Sequence, residues 1–259
     1  MDTVAIGDVH GRADLLERLL EYLYVNFPRV RMVFLGDIID RGPYSRQAVD
    51  LVENELLRQP ASVLIQGNHE DLMLRFLDGG SERSHGWRYN GGDATVASYG
   101  YHGYGYTDDE GFGRFRDELA ARFSEEHPTL VALLRNAVPC VQTEDYFFVH
   151  AGIDPGVPLD EQDPYLMRWD SKPLISHRGR LSKIVVHGHT ITESGRPEMF
   201  DHRINIDTGA YRTNTLTAVL LPEDGLPATF IVSSGSRAEA YSVREIEPVR
   251  FADRSLAML

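Results

Sequence analysis

Five times along this chain a short apolar run stops and a glycine-bounded cluster of acid, amide or imidazole follows. Val4-Ala5-Ile6 leads into Gly7-Asp8-Val9-His10-Gly11, Met32-Val33-Phe34-Leu35 into Gly36-Asp37, and Val63-Leu64-Ile65 into Gly67-Asn68-His69. Later, Tyr146–Val149 leads into His150-Ala151-Gly152, and Ile184–Val186 into His187-Gly188-His189-Thr190. Apolar runs this short, bounded by turn residues, read as buried strands. Open α/β sheets place their sites just beyond the carboxyl ends of such strands, and glycine allows the tight turns that aim neighbouring side chains at one point. An isolated Asp-x-His is common on protein surfaces. Five clusters, each ending a strand, point to a single site.

Between the first three runs, Leu15, Leu16, Leu19, Leu20 and Leu23, then Ala48, Val49, Val52 and Leu56, recur at helical spacing. A β-α-β-α-β order predicts a mostly parallel sheet. Residues 78–128 change character, being rich in Gly, Tyr, Arg and Asp, with helical stretches at Asp93–Ser98 and Arg114–Phe123. This segment reads either as an insertion covering the site or as a solvated connector. Beyond it, Ile204–Ile206, Leu216–Leu220 and Thr229–Val232 add further short strands. With no repeat, low-complexity tract or linker, one domain over residues 1–259 is expected.

The net charge of −13, from 39 acidic against 26 basic residues, argues against a nonspecific nucleic-acid binder, whose affinity comes from Lys and Arg on phosphates. A phosphate-handling site survives that argument, because bound divalent cations reverse the local sign. Cys140 is the single cysteine, so no intrachain disulfide forms, and a cytoplasmic setting is expected. No run approaches the roughly 20 apolar residues of a membrane helix, and no signal peptide is expected. Carboxylate, imidazole and amide oxygen together suit manganese, iron or zinc.

Gly7-Asp8-Val9-His10-Gly11, Gly36-Asp37-Ile38-Ile39-Asp40-Arg41-Gly42 and Gly67-Asn68-His69-Glu70 resemble the three signature motifs of the PPP serine/threonine phosphatases, within the calcineurin-like metallophosphoesterases. His150-Ala151-Gly152 and Gly188-His189-Thr190 are similar to that family's last two ligand motifs, in the same order. Trp87-Arg88-Tyr89-Asn90-Gly91-Gly92, continuing to Ser98-Tyr99-Gly100, resembles its bacterial branch, to which symmetrical dinucleoside tetraphosphatases are close.

The resemblance implies an α/β fold, a four-layer α/β/β/α sandwich with two mixed β-sheets and two divalent ions at one edge, manganese first, iron or zinc as alternatives. It implies that Asp8 and His10 hold one ion, that Asn68, His150 and His189 hold the other, and that Asp37 bridges them. The residues alone leave His187 and His189 open; the family pattern selects His189, directly after its glycine. It further implies in-line attack on phosphorus by a hydroxide shared between the ions, His69 as general acid held by Asp40, and Arg41 as a phosphate clamp.

Two departures concern the substrate. The arginine that precedes Gly-Asn-His-Glu in many relatives is Gln66 here, and the order in Arg168-Trp169 is shifted, leaving Arg168 as the candidate second clamp. The expected activity is phosphomonoester hydrolysis on phosphoserine or phosphothreonine in proteins, or on a small phosphoester. The alternative is hydrolysis of diadenosine tetraphosphate, with Tyr99, Tyr101, Tyr104 and Tyr106 as the stacking surface.

Overall fold

Alternation along the strands divides the molecule into layers. The computed structural model describes residues 1–79, 84–102, 109–236 and 238–251. In strand β1 (Thr3–Ile6), Val4 and Ile6 face one apolar cluster and Ala5 another; in β2 (Arg31–Phe34), Met32 and Phe34 divide from Val33 in the same way. The first cluster is filled by helices α1 (Ala13–Asn26) and α2 (Ser45–Arg58). The five leucines at helical spacing in α1 are at most 2 % exposed. Burial at that level stabilises by roughly 1.5–3 kcal/mol per side chain relative to exposure, so α1 is held by its face.

The first sheet continues with β3 (Val63–Leu64), which leads into α3 (Asn68–Leu77). Strands β1, β2 and β3 are parallel, as the β-α-β-α-β order predicts. The sheet as a whole is mixed, because three later strands join it on the other side of β1.

The segment expected as an insertion holds α4 (Ser84–Trp87), a π-helical turn at Arg88–Gly92, α5 (Asp93–Ser98) and α6 (Asp109–Glu126). Trp87, Val96, Tyr99, Tyr101, Phe115, Leu119 and Phe123 join the same apolar cluster as α1. The described part of the segment packs into the core there and is not a solvated connector. Helix α7 (Pro128–Asn136) returns the chain to the second sheet.

That sheet contains β4 (Cys140–Gln142), β5 (Tyr146–Val149), β6 (Ile184–His187), β7 (Glu198–Met199) and β8 (Arg203–Asn205), with α8 (Pro164–Trp169) and α9 (Lys172–Ser176) between β5 and β6. After α10 (Ala210–Thr213), β9 (Thr215–Leu221), β10 (Thr229–Ser236) and β11 (Glu239–Ile246) extend the first sheet, and β12 (Val249–Arg250) closes the second. The strand orders are β11-β10-β9-β1-β2-β3 and β12-β7-β8-β6-β5-β4. Phe148, Val186, Ile204 and Ile206 of the second sheet meet Ala5, Val33, Leu35 and Val219 of the first, while Phe147, Val149 and Val185 turn outward onto Met167 and Leu174 of α8 and α9. The result is helices, sheet, sheet, helices.

The register then brings the polar clusters together. Ile6 pairs with Phe34 and Phe34 with Leu64, so the turns after β1, β2 and β3 emerge side by side. Phe148 pairs with Val186 and Val186 with Ile204, which does the same for the turns at His150, His189 and Asp207. Among the described residues no helix is long and apolar enough to cross a membrane.

Candidate functional site

The turns at this edge are strained in a common way. His10, Asp37, Asp40, Arg41 and His189 all adopt positive φ, between 46° and 73°. Non-glycine residues take up this region at a cost of order 1–3 kcal/mol each and persist there only where the surroundings hold them. Backbone crowding is part of that hold: a Cβ on Gly188 would collide with the Asp8 carboxylate, and one on Gly67 with Asp37.

Asp37 stands at the centre. Its Oδ2 lies 3.4 Å from His10 Nε2, and its Oδ1 lies 3.4 Å from His150 Nε2. Nε2 of His150 is in turn 3.0 Å from Asn68 Oδ1 and 3.2 Å from His189 Nδ1, which is 2.9 Å from the same Asn68 oxygen. Asp8, at the neighbouring turn, accepts the His189 backbone N–H at 3.1 Å. His10, Asp37 and His69 form one group of converging potential ligand atoms, and Asp37, His150 and His189 form a second. All are buried except His189, which is half-buried.

The protons of these rings are fixed by their other contacts. Nδ1 of His150 lies 2.8 Å from the Leu35 carbonyl, and Nδ1 of His10 lies 3.0 Å from that of Ile39. A carbonyl only accepts, so each Nδ1 carries the proton and each Nε2 presents a lone pair to the centre. His150 Nε2 therefore faces both Asn68 Oδ1 and Asp37 Oδ1 as acceptor toward acceptor, with at most the His189 proton among them, although Asp37 Oδ1 also takes the His69 backbone N–H at 3.0 Å. Buried acceptors turned toward each other are costly unless a cation lies among them. The donor set fits divalent ions.

The electrostatics agree. Burial lowers the pKa of His10 and His150, and burial with the neighbouring His150 pulls His189 down to about 4, so these rings are neutral, as ligands must be. Burial, Asp207 and Asp37 together push Asp8 well above the usual carboxylate range. Asp37 is pulled the other way, below that range despite burial, to the extent that the surrounding His150, His69, His10 and His189 carry positive charge.

His69 departs from the other histidines. Burial opposes its charge, yet Asp37 and Asp40 outweigh that and raise it. Its Nδ1 is 2.7 Å from Asp40 Oδ2, and its Nε2 is 2.9 Å from Arg41 Nη2. Arg41 only donates, so in this arrangement Nε2 accepts and the ring is neutral; the two indications conflict. The raised pKa is reached with the Arg41 guanidinium in place and opposing the charge, so moving Arg41 onto an anion would raise it further. Arg41 also approaches His10 Nε2 at 3.1 Å.

His187 lies elsewhere. It is fully buried, burial and Arg203 lower it to about 3, and its Nδ1 faces the Gly188 carbonyl at 3.1 Å. Arg168 is not in hydrogen-bonding contact with the site histidines as Arg41 is. Its Nη1 donates to Gln66 Oε1 at 2.9 Å and its Nη2 is 3.9 Å from Asp71. The two departures noted in the sequence are thus one contact.

The expected aromatic stacking surface is corrected. Tyr99 and Tyr101 are each only 7 % exposed, packed edge-on against Phe123, and cannot receive a base; Tyr104 and Tyr106 lie outside the described residues.

Sequence reasoning gave Glu70 no role and missed Asp207 and Tyr211. Glu70 is fully buried and accepts the backbone N–H groups of Asp37, Ile38 and Gly67 at 2.8–2.9 Å, tying two site turns together. Asp207 follows the apolar run Ile204–Ile206 and precedes Gly209, the same signal as the five clusters; burial raises it to about 7 although its carboxylate accepts the Gly209 N–H at 2.9 Å. Tyr211 carries the Arg41 guanidinium 4.7 Å above its ring and meets His10 edge-on at 5.2 Å; nothing in its local sequence marks it.

Comparison with known proteins places the chain in a family. The calcineurin-like phosphoesterase family matches residues 1–220. The asymmetrical bis(5'-nucleosyl)-tetraphosphatase PrpE of Anoxybacillus flavithermus is 28% identical over 240 residues, covering 84% of this chain and 89% of the relative. A crystal structure provisionally named a diadenosine tetraphosphatase superposes with a TM-score of 0.62 at 17% identity, over 91% of this chain and 94% of the other. A protein serine/threonine phosphatase from Saccharomyces cerevisiae gives 0.53 at 14% identity, over 98% and 82%. These two likenesses concern the fold. With 220 of its residues matched, the chain belongs to the calcineurin-like phosphoesterase family and is a phosphoester hydrolase.

Proposed function

We propose that Asp8, His10, Asp37, Asn68, His150 and His189 hold two divalent ions, with Asp37 shared between them. The observation that carries this reading is the set of lone pairs turned toward one another around Asp37 and His150. Two such ions, when bound, supply an activated water and a positive field for the phosphoryl oxygens. The donor set admits manganese, iron and zinc alike.

The remaining residues act on the leaving side. Arg41 offers a planar fork for nonbridging phosphate oxygens, and its ring contact with Tyr211 keeps the guanidinium over the site. Once Arg41 has moved onto the phosphate, His69 Nε2 holds a proton for the departing oxygen, and Asp40 orients the ring from Nδ1. Arg168 is the second candidate contact for the substrate, held by Gln66.

The acid assigned to His69 favours esters with a poor leaving group. An alkoxide needs a proton as it departs, whereas a phosphate or nitrophenolate needs little help. We therefore place phosphomonoesters first, phosphoserine and phosphothreonine peptides among them. A second reading, hydrolysis of dinucleoside polyphosphates, is favoured by the name of the Anoxybacillus relative, similar over 84% of this chain. A panel of nitrophenyl phosphate, phosphopeptides and diadenosine tetraphosphate on manganese-loaded protein tests the order. A specificity constant for diadenosine tetraphosphate far above that for any phosphopeptide would reverse it.

A further inference from the structure

The stretch Trp87-Arg88-Tyr89-Asn90-Gly91-Gly92 has no part in the donor set, yet it reaches the acid side of the site. Trp87 is fully buried, and its Nε1–H donates to Asp40 Oδ2 at 2.9 Å. Eight residues on, the Thr95 hydroxyl donates to Asp40 Oδ1 at 2.6 Å and accepts the Asp40 backbone N–H at 2.9 Å. The Gly91 carbonyl accepts the Arg41 backbone N–H at 3.1 Å. A Cβ on Gly92 would stand 2.6 Å from the indole, so the turn closes around Trp87 only with glycine there.

Asp40 has no exposure of its own and sits at positive φ, 73°. Three side-chain donors converge on its carboxylate: His69 from one side, Trp87 and Thr95 from the other. A buried carboxylate with one donor could rotate away from a ring; with three donors, two from a packed element, its direction is set. Both residues belong to the segment inserted between α3 and α7, 47 and 55 positions from Asp40 in the chain.

We propose that Trp87 and Thr95 are positioning residues for phosphoester hydrolysis: through Asp40 they hold His69 against the leaving group, so the 78–128 insertion supplies part of the acid machinery. The inference rests on the reading of His69 as the acid. It implies that loosening these two donors costs rate according to how much the leaving group needs a proton, without loss of metal.

The test compares Thr95→Val, Thr95→Ser and Trp87→Phe with wild type on an alkyl phosphomonoester and on nitrophenyl phosphate, with metal content and thermal midpoint measured on each. In Thr95→Val the Asp40 N–H keeps the Ser45 hydroxyl at 3.1 Å, so the fold retains a partner there. Expected is a loss of about tenfold or more on the alkyl ester, inside the roughly 10²–10⁴-fold worth of a general acid. Nitrophenyl phosphate should stay within about threefold by the same reasoning, metal content should be unchanged, and Thr95→Ser should restore the rate. If Trp87→Phe fails to fold, the two Thr95 variants decide. Equal losses on both substrates, or a lowered midpoint with unchanged kinetics, would overturn the inference. His69→Asn is the control: a leaving-group bias there without one in Thr95→Val removes only this inference, whereas no bias in His69→Asn removes the acid assignment and this inference with it.

Discussion

His69 Nδ1 lies 2.7 Å from Asp40 Oδ2, and both side chains are almost completely buried. His69 sits one residue beyond Asn68, so the chain places an oriented imidazole beside the donor set without using it as one of the six ligands assigned to the ions. His69→Asn should therefore keep its metals and lose roughly 10²–10⁴-fold in turnover on alkyl phosphates. Asp40→Asn should lose less, and nitrophenyl phosphate should be the substrate least affected by either. Loss of metal from His69→Asn, read by elemental analysis, would remove its assignment as the acid.

Glu70 makes a second separable demand. Its carboxylate holds the N–H groups of Asp37, Ile38 and Gly67, and its removal would orphan three buried donors. Glu70→Gln presents one oxygen and an NH₂ that faces donors. Metal affinity, measured by competition with a chromophoric chelator, should fall about 10–100-fold, as for other groups that orient ligands. An unchanged affinity would mean that the two turns hold their spacing without it.

Much of this site was legible because its signal is local. A strand end, a glycine and a polar side chain occupy about five consecutive residues, and the pattern recurs five times, so both groups of strands and the candidate ligands could be read from the sequence, with the family pattern choosing His189 over His187. Asp207 carried the same signal and was overlooked. Trp87, Thr95 and Tyr211 could not be read in this way, because their partners lie on other elements and only folding brings them together. Strand β11 was missed for a different reason: Glu239–Ile246 is an edge strand with five charged or hydroxyl side chains among its eight residues, and its pairing with β10 needs no apolar run. The tyrosines of the insertion misled because a Tyr-rich stretch looks exposed by composition, whereas Tyr99 and Tyr101 pack into the core.

His187 gives a pH dependence. Burial and Arg203 hold its folded pKa near 3, against about 6.5 in the unfolded chain. Below pH 6.5 the unfolded state binds a proton that the folded state does not, so stability falls with pH, by up to about 1.4 kcal/mol per unit, until the folded pKa is reached. Urea midpoints of metal-free protein at pH 7, 6 and 5 should fall in step. In His187→Gln the slope should be shallower, and an identical slope would assign the dependence to other groups.

Tyr99 and Tyr101 give a prediction opposite to that of a base-stacking surface. Tyr99→Ala and Tyr101→Ala should each destabilise the fold by roughly 3–5 kcal/mol, the range for large aromatic truncations in a core. Hydrolysis of nitrophenyl phosphate and diadenosine tetraphosphate should then fall together with the folded fraction. A selective loss of the dinucleotide reaction at full stability would contradict the burial of these rings.

Arg41→Ala should reduce hydrolysis of every substrate, because its guanidinium is the cation in contact with His10 and His69. Arg168→Ala should act on KM if Arg168 contacts substrate. Steady-state kinetics on both variants separate the two clamps, and unchanged constants in Arg168→Ala would leave Arg41 alone in that role.

As assigned, Asp37 joins two ions, and metal stoichiometry reports on that sharing. Wild-type protein loaded with manganese and desalted should retain up to two ions per chain, as a two-metal hydrolase requires. Asp37→Asn should lose most of both, because Asp37 reaches toward His10 through one oxygen and toward His150 through the other. Full occupancy in Asp37→Asn, or no bound metal in the wild type, would contradict the account.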